Sequence, residues 1–395
     1  MTAKSLIFVV NPGSASRKYA LFVGGELIAK IHFELIANKV AGNLEYRGQK
    51  HDVHYDDANL GNAPHRTLPL LREYGVIGAN DKIDAIGIRI VAPSQRFMKD
   101  QLITTDTIKA LDSLTEETPL HIKNALLEIK QLKIRYPGAP IIGISDSAFH
   151  ATKPTWAWHY GVDTELVEKL GIERYGFHGI SVGSVVRYLK KNEILMPKTI
   201  VCHLGSGSSV TAVQDGKSVD NTMGYSPLEG LMMSTRSGSI DVSAALVIKR
   251  ELKMTDHGLE QYLDKQAGLL GVSGSSGDIR QLQISETNGD ERAKLALDIF
   301  VYRIQQAIGQ MAASMDGVSC LVFTGTVGER SNLIRGRVLK RLDYLGFELD
   351  SQINKQTYEP NSVANLATDS SKPILVITAD EASEIARRTS QFIKS

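Results

Sequence analysis

The chain lacks most features that would tie it to a specialised partner. It has two cysteines, Cys202 and Cys320, each inside an apolar strand-like run, so they read as buried small hydrophobes and not as a disulfide or a metal pair. Charge of either sign is scarcely in excess, at a net +1, so neither nucleic acid nor an anionic membrane is expected as partner. No apolar run is long enough to span a bilayer. Met1-Thr2-Ala3-Lys4 runs straight into a strand, which reads as no signal peptide, and a cytoplasmic protein is expected. A low-complexity linker is missing, and so is a G-x-x-x-x-G-K-[ST] loop, which excludes the P-loop enzymes. What remains is ordinary globular material: 395 residues, 42% hydrophobic and 23% charged, enough for two or three domains.

The richest stretch begins where an apolar run over 200–204 breaks into Gly205-Ser206-Gly207-Ser208-Ser209 and resumes as Val210-Thr211-Ala212-Val213, before a turn at Asp215-Gly216. Small residues there let backbone N–H groups approach an anion, and the serine hydroxyls add donors. One such loop is equally well a plain hairpin turn. The chain does it twice, however. Gly13, Ser14, Ser16 and Gly24 recur as Gly205, Ser206, Ser208 and Gly216, each 192 residues later and without a gap. That offset implies a duplicated α/β fold with one phosphate loop per half, the two loops facing each other across a cleft. Gly205-Ser206-Gly207 leads into a strand and not a helix, which argues against a Rossmann dinucleotide site.

Other candidates follow in order. The run 83–91 is nearly all apolar except Arg89, which must be paired or reach an anion if buried, and is a surface residue if the strand is an edge. Helices are expected over 106–113, with Thr105 or Asp106 as N-cap, and over 119–133. The apolar strand 141–145 ends at Asp146, where α/β enzymes place working carboxylates, though an N-cap aspartate looks the same. His178 sits between two small breaks ahead of a helix near 182–191, and a lone histidine also serves structure. Arg236, among Ser, Thr and Gly, suits bidentate recognition of a carboxylate or phosphate. Residues 271–280 read as a polar Gly/Ser loop ending in Asp278-Ile279-Arg280. A long amphipathic helix over 290–315 carries Leu295, Leu297, Ile299, Phe300, Ile304, Ala307, Ile308 and Met311, a stripe for core or dimer packing. The strand 319–324 opens onto Gly325-Thr326-Val327-Gly328-Glu329 and a helix to about 345. Two anion loops, two arginines, acids after strands (Asp146, Asp278, Glu381) and a loop histidine suit phosphoryl transfer, which needs positive charge around the moving group.

Six strings carry a resemblance. Asn11-x-Gly13-Ser14-x-Ser16-x-Lys18, Asp146-x-Ala148-Phe149-His150, Arg174-Tyr175-Gly176-Phe177-His178-Gly179, His203-Leu204-Gly205-x-Gly207-x-Ser209, the run from Met223-Gly224 through Pro227-Leu228-Glu229-Gly230 to Thr235-Arg236-Ser237-Gly238, and Phe323-Thr324-Gly325 are similar to the short-chain carboxylate kinases, the acetate and propionate kinases of the actin/Hsp70/sugar-kinase superfamily. The likeness runs through nearly the whole chain. It implies an α/β, duplicated two-domain actin-like (ribonuclease H-like) fold with a central cleft, an acyl/phosphate domain over 1–148 plus about 379–395, and a nucleotide-binding and dimerisation domain over 149–378. It implies reversible phosphoryl transfer between ATP and a short carboxylate, giving an acyl phosphate and ADP, with Mg²⁺ or Mn²⁺, in a homodimer.

By that resemblance Arg89 and Arg236 hold the carboxylate and the moving phosphoryl group. Asp146 positions the acyl group, and His178 stabilises the transition state with His121 and His203 nearby. Asn11, Ser14, Ser16 and Lys18 form the first phosphate loop, and His203, Gly205, Ser206 and Gly207 the second. Asp278, Ile279, Arg280, Gly325, Thr326, Val327 and Arg330 meet the nucleotide, and Asn11 and Glu381 the metal. Val91, Leu120, Phe177 and Pro227 line the acyl pocket. Valine at 91 leans towards acetate over propionate, slightly, since one methylene is worth ~1–3 kcal/mol.

The chain departs from the family pattern at Ala92-Pro93-Ser94 after the arginine strand, at Ser206 in place of an asparagine, and at Thr326 and Arg330, where a small residue and an asparagine are usual. The last two leave pyrophosphate or phosphate as an alternative phosphoryl partner, and a catalytically silent nucleotide sensor as a second alternative.

Overall fold

A computed structural model of the chain describes residues 5–13, 16–36, 39–55, 59–78, 80–115 and 119–394, without the side chains of 35–36 and 119–121. Ser14 and the side chains of Leu120 and His121 therefore lie outside the described residues. The chain divides into two compact units, Met1–Ala148 with Asp380–Ser395, and Phe149–Ala379.

The first unit holds β1 (Leu6–Pro12), β2 (Ser16–Val23), β3 (Glu26–Ile36), β4 (Lys39–Tyr46), β5 (Gln49–Tyr55), β6 (Ala85–Ile90), β7 (Gln101–Leu102) and β8 (Ile141–Ser145), in the sheet order β5-β4-β3-β2-β1-β6-β8-β7. The second holds β9 (Lys198–Leu204), β10 (Ser208–Gln214), β11 (Lys217–Asn221), β12 (Cys320–Thr324), β13 (Ala364–Asn365) and β14 (Ile374–Val376), in the order β11-β10-β9-β12-β14-β13. From β3 to β7 the first order matches the second strand for strand. In both, the first strand runs antiparallel to the second and parallel to the strand on its other side. Shifting β1 by the 192-residue offset lands on β9 end to end. The duplication read from the loops is a duplication of the sheets.

The parallel strands are buried on both faces, and that is why they read as continuous apolar runs and not as alternation. All five residues of β8 and of β12 are buried. The hairpins after β2 and β10 turn on residue pairs with positive φ, Gly24-Gly25 at 61° and 93° and Asp215-Gly216 at 50° and 76°, the geometry that suits a two-residue β-turn.

Several expected boundaries move. Thr104, and neither Thr105 nor Asp106, caps the helix Thr105–Ser113, accepting from Thr107 N–H at 3.1 Å. The helix near 182 starts at Gly179, because His178 takes the left-handed conformation that ends the preceding loop. Helix Gly268–Ser273 occupies the start of the expected 271–280 loop. The single helix expected after Glu329 is two, Gly325–Arg330 and Asn332–Leu339, divided at extended Ser331, whose hydroxyl caps the second through Ile334 N–H. Helix Glu291–Ser314 sets Leu297, Phe300, Ile304, Ala307, Ile308 and Met311 into the core of its unit. Its stripe is core packing, although Leu295 is 53% exposed and belongs to the outer face. No described helix is long and apolar enough to cross a membrane.

The C-terminal helix Glu381–Phe392 packs on β1, β6 and β8 of the first unit. Gly87 in β6 makes this approach feasible: a Cβ there would stand 2.1 Å from Thr389 Oγ1 and 2.8 Å from Ile385 Cγ2. Arg388 then locks the helix down, its Nε on Asp100 Oδ2 at 2.8 Å and a terminal nitrogen on the Ser145 carbonyl at 3.0 Å. Overpacking of this kind costs about 1–3 kcal/mol. Gly87→Ala is expected to lower the urea midpoint accordingly, and Gly87→Ala with Thr389→Ala to recover part of it. Equal midpoints for wild type and Gly87→Ala would show that the helix is free to stand off.

Candidate active site

In the first unit, β1, β6 and β8 are parallel neighbours, so their C-terminal ends reach the same edge of the sheet. Polar side chains belong at such an edge, since the strand middles are covered on both faces. There Asn11 and Arg89 are the penultimate residues of β1 and β6, and Asp146 follows β8. The start of the C-terminal helix adds Glu381. One terminal nitrogen of Arg89 donates to Asp146 Oδ2 at 2.8 Å, and the other to Asn11 Oδ1 at 3.4 Å, with Glu381 Oε2 at 4.0 Å. Asn11 Nδ2 donates to Glu381 Oε2 at 2.7 Å. Asp146 is fully buried. Burial works against the Arg89 charge, but Asp146 and Glu381 outweigh it and raise the guanidinium above its ordinary value. Among the described residues Arg89 Nε is buried with no hydrogen-bond partner, so the group keeps capacity for one more acceptor. Val91 follows, half-buried; Ser16 is half-buried and Lys18 exposed at the start of β2.

The second unit gathers the other set. His178 has φ 60° at the N-terminus of helix Gly179–Lys191, a conformation that costs a residue other than glycine about 1–3 kcal/mol. Its Nδ1 lies 2.9 Å from Ser209 Oγ, and its ring meets that of His203 at a 32° tilt, centroids 4.2 Å apart. His203 Nδ1 lies in turn 2.7 Å from Ser181 Oγ. A Cβ on Gly207 would meet His178 Nε2 at 3.1 Å and a terminal nitrogen of Arg236 at 3.6 Å. The glycine loop, the histidine and the arginine therefore converge, and a side chain at 207 would need the His178 ring to give by a few tenths of an ångström. Arg236 is held by Asp264, its Nε 2.9 Å from Oδ1, and its NH1 reaches the carbonyl of buried Pro227 at 3.4 Å. Phe177, beside His178, is 1% exposed.

On its other side the loop faces the remaining strings. A Cβ on Gly205 would stand 4.0 Å from Thr326 N. Ser234 joins the loop to the Asp278 segment, its N–H on the Ser206 carbonyl at 3.2 Å and its hydroxyl on the Gly277 carbonyl at 2.8 Å. Asp278 caps helix Ile279–Thr287 and forks with Arg280, which is 85% exposed. The Arg280 fork holds the Asp278 carboxyl below its ordinary range. Ile279 is buried, Val327 half-buried and Thr326 exposed. Gly325 has φ 76°, and a Cβ on it would lie 2.7 Å from the Leu204 carbonyl oxygen. Arg330 turns to Glu359 at 2.6 Å, with the Tyr358 ring 5.9 Å away.

The match to known proteins is broad. The model of the acetokinase family covers residues 6–387. The chain belongs to that family. The acetate kinase of Clostridium botulinum strain Langeland is 37% identical to this acetokinase-family chain over 396 residues, 98% of this chain and 99% of that one. The solved propionate kinase of Francisella tularensis has a TM-score of 0.88 at 33% identity, covering 98% and 99% of the two chains, and the acetate kinase of Porphyromonas gingivalis 0.85 at 32%, covering 98% and 100%. The duplicated, actin-like α/β fold is the fold of these kinases.

Within this acetokinase-family chain the sequence reading misses three supports. Ser209 stands in a quoted motif but has no partner to suggest itself until His178 is placed. Glu329 likewise stands in a motif, and only the fold reveals it as an internal clamp. Asp264 ends an ordinary amphipathic helix (Asp256–Lys265) and carries no signal at all. Asp264 orients Arg236, so Asp264→Ala is expected to lower kcat/KM about 10²-fold by misplacing the guanidinium, with a melting temperature close to wild type. Asp264→Asn keeps an acceptor and should recover most of the loss. Kinetics of the alanine variant indistinguishable from wild type would remove Asp264 from the site.

Proposed function

We propose that the protein transfers a phosphoryl group reversibly between ATP and a short-chain carboxylate, acetate in preference to propionate, giving an acyl phosphate and ADP. The observation that carries this reading is Arg89, fixed on buried Asp146 with one nitrogen left over for an incoming anion. Nothing in a stable sheet requires a cation there, and a carboxylate substrate supplies the missing acceptor.

Arg89 holds the substrate carboxylate, and Asp146 keeps the guanidinium at the sheet edge and positions the acyl group. Val91, Leu120, Phe177 and Pro227 are the positions that the family resemblance assigns to the acyl group. Arg236 and His178 place positive charge and a hydrogen-bond donor on the equatorial oxygens of the moving phosphoryl group, where charge builds up. Asn11, Ser14, Ser16 and Lys18 take up phosphate oxygens in the first unit, and His203, Gly205, Ser206 and Gly207 those in the second. The order of contacts along the second loop supports ATP as donor: Gly207 lies against His178 and Arg236, and Gly205 lies against Thr326, so a polyphosphate laid along it has its nucleoside at the Asp278–Arg280 and Gly325–Arg330 end. Arg330 is drawn to Glu359, which supports a nucleoside site that its length does not fill.

Magnesium, or manganese, enters through Asn11 and Glu381. Among the described residues no three metal-binding side chains stand together, and one carboxylate beside an amide fits a cation that keeps its waters and draws other ligands from substrate phosphates. Bound there, it neutralises charge on those phosphates. A cytoplasmic location belongs to the same reading.

Hydroxamate trapping of the acyl phosphate tests the whole, with acetate and propionate, and with ATP and pyrophosphate side by side. ATP-dependent product is expected, acetate leading. Product from pyrophosphate alone would make the nucleoside reading wrong, and silence of the folded protein with both donors would favour a sensor. Arg236→Ala should lower kcat about 10²–10³-fold, as loss of one donor to developing charge does, with the circular dichroism unchanged.

A homodimer formed through the second unit also belongs to the proposal. Helix Glu291–Ser314 spends its stripe on the core, so the surface falls to helix Val242–Glu251, which has no buried residue and leaves Val242, Leu246 and Val247 72%, 45% and 46% exposed. Sedimentation should give twice the 43.2 kDa chain mass, and Val242→Asp with Leu246→Asp should give the single chain. A wild-type monomer would refute the assignment.

A further inference from the structure

Arg17 follows directly on the first Gly/Ser turn, yet it is only 4% exposed, and Glu128 of helix Pro119–Arg135 is 2% exposed. Two charges taken out of water cost several kcal/mol each unless they are paired and hydrogen-bonded. Here both terminal nitrogens of Arg17 are hydrogen-bonded, while its buried Nε has no hydrogen-bond partner among the described residues and meets Glu128 only as an ion pair. Arg17 NH1 donates to the carbonyl oxygens of both Gly13 and Ser16, the latter at 3.2 Å, and NH2 donates to Asn124 Oδ1 at 3.1 Å. Nε stands 3.4 Å from Glu128 Oε2, an ion-pair separation, while the Tyr19 hydroxyl donates to Glu128 Oε1 at 2.6 Å.

Gly13 N–H donates to the Ser16 carbonyl at 2.9 Å. A backbone segment receives an anion through its N–H groups, and carbonyl oxygens in the same place repel it. The guanidinium offsets that repulsion at the Gly13 and Ser16 carbonyls, the second of which also accepts from Gly13 N–H. The duplicated hairpin of the second unit makes an independent use of the same position. The residue 192 places after Arg17 is Ser209, whose hydroxyl supports His178. In each unit, then, the second residue position after the loop braces a group of the site.

We propose that Arg17, seated by Asn124 and Glu128, is the positioning residue of the first anion-binding turn and acts through the Gly13 and Ser16 carbonyls without touching substrate. The proposal rests on the reading of 11–18 as a phosphate loop. Burial pushes the Glu128 carboxyl up to about 7, against the pull of Tyr19 and Arg17, so a neutral side chain is tolerated at that depth. Arg17→Met with Glu128→Gln therefore removes both charges while preserving volume.

The double variant is expected to melt within a few degrees of wild type, yet to lose about 10²-fold in kcat/KM, with KM for ATP raised and KM for acetate unchanged. Packing alone does not move one KM and leave the other. Arg17→Lys, which keeps the charge but cannot bridge two carbonyls and Asn124 together, is expected to fall between. Asn11→Ala tests the loop reading separately. If Asn11→Ala is impaired while the double variant has wild-type kinetics, Arg17 is structural and this proposal fails alone. If Asn11→Ala also has wild-type kinetics, the loop reading fails with it. Should the double variant not fold, folded Arg17→Lys with wild-type constants overturns the proposal.

Discussion

Arg89 lies one residue from the end of a strand whose other side chains are apolar, and its guanidinium is sustained there by Asp146 at 2.8 Å from the end of the adjacent strand. Neither charge is stable alone at that depth, because removing one partner of a buried pair strands the other. The pair therefore fixes the register of β6 against β8, and with it the position of everything that the two strand ends present. Asn11 and Glu381 attach to the same point from β1 and from the C-terminal helix. Gly87, two residues earlier on β6, lets that helix come close enough for Glu381 to arrive.

The second unit repeats the sheet but not the solution. The place that Asn11 holds at the end of β1 is held by His203 at the end of β9, one offset later. In the first unit the polar groups of the strand ends satisfy one another through a guanidinium and two carboxylates. In the second, hydroxyls of Ser209 and Ser181 lie on two imidazoles tilted 32° to each other, and the carboxylate that holds Arg236, Asp264, comes from a helix outside the sheet. Duplicated scaffolds diverge in this way because strand ends fix where a side chain starts, and not what it is.

That distinction also explains what the sequence disclosed. Continuous apolar runs and the residues that terminate them are legible in the sequence, so Arg89, Asp146, both Gly/Ser loops and the duplication stand out there. Their partners do not. Arg17 looks like an outward residue of an alternating strand, and only helix Pro119–Arg135, over a hundred residues on, turns it into a buried cation. Asp264 is one acid among several on its helix until the 223–238 loop docks on it. In each case the deciding neighbour is distant in sequence, where periodicity and capping rules have no reach.

The departures from the family pattern at Thr326 and Arg330 differ from their neighbours in the side they occupy. Helix Gly325–Arg330 is fixed from within by one oxygen, Glu329 Oε1, which accepts from Gly325 N–H at 2.8 Å, Ala379 N–H at 3.0 Å and the Thr324 hydroxyl at 3.4 Å. Burial raises the Glu329 carboxyl above its ordinary range, while these donors pull against it. Arg335, fully buried, ties the Gly328 and Glu329 carbonyls to those of Asn354 and Thr357. Gly325, Gly328 and Glu329 are all buried on this inner side. Thr326 and Arg330 are the exposed members. Substitution on that face leaves the clamp untouched and costs little stability, so the backbone of 325–330 is held in the same way whichever side chains stand at 326 and 330.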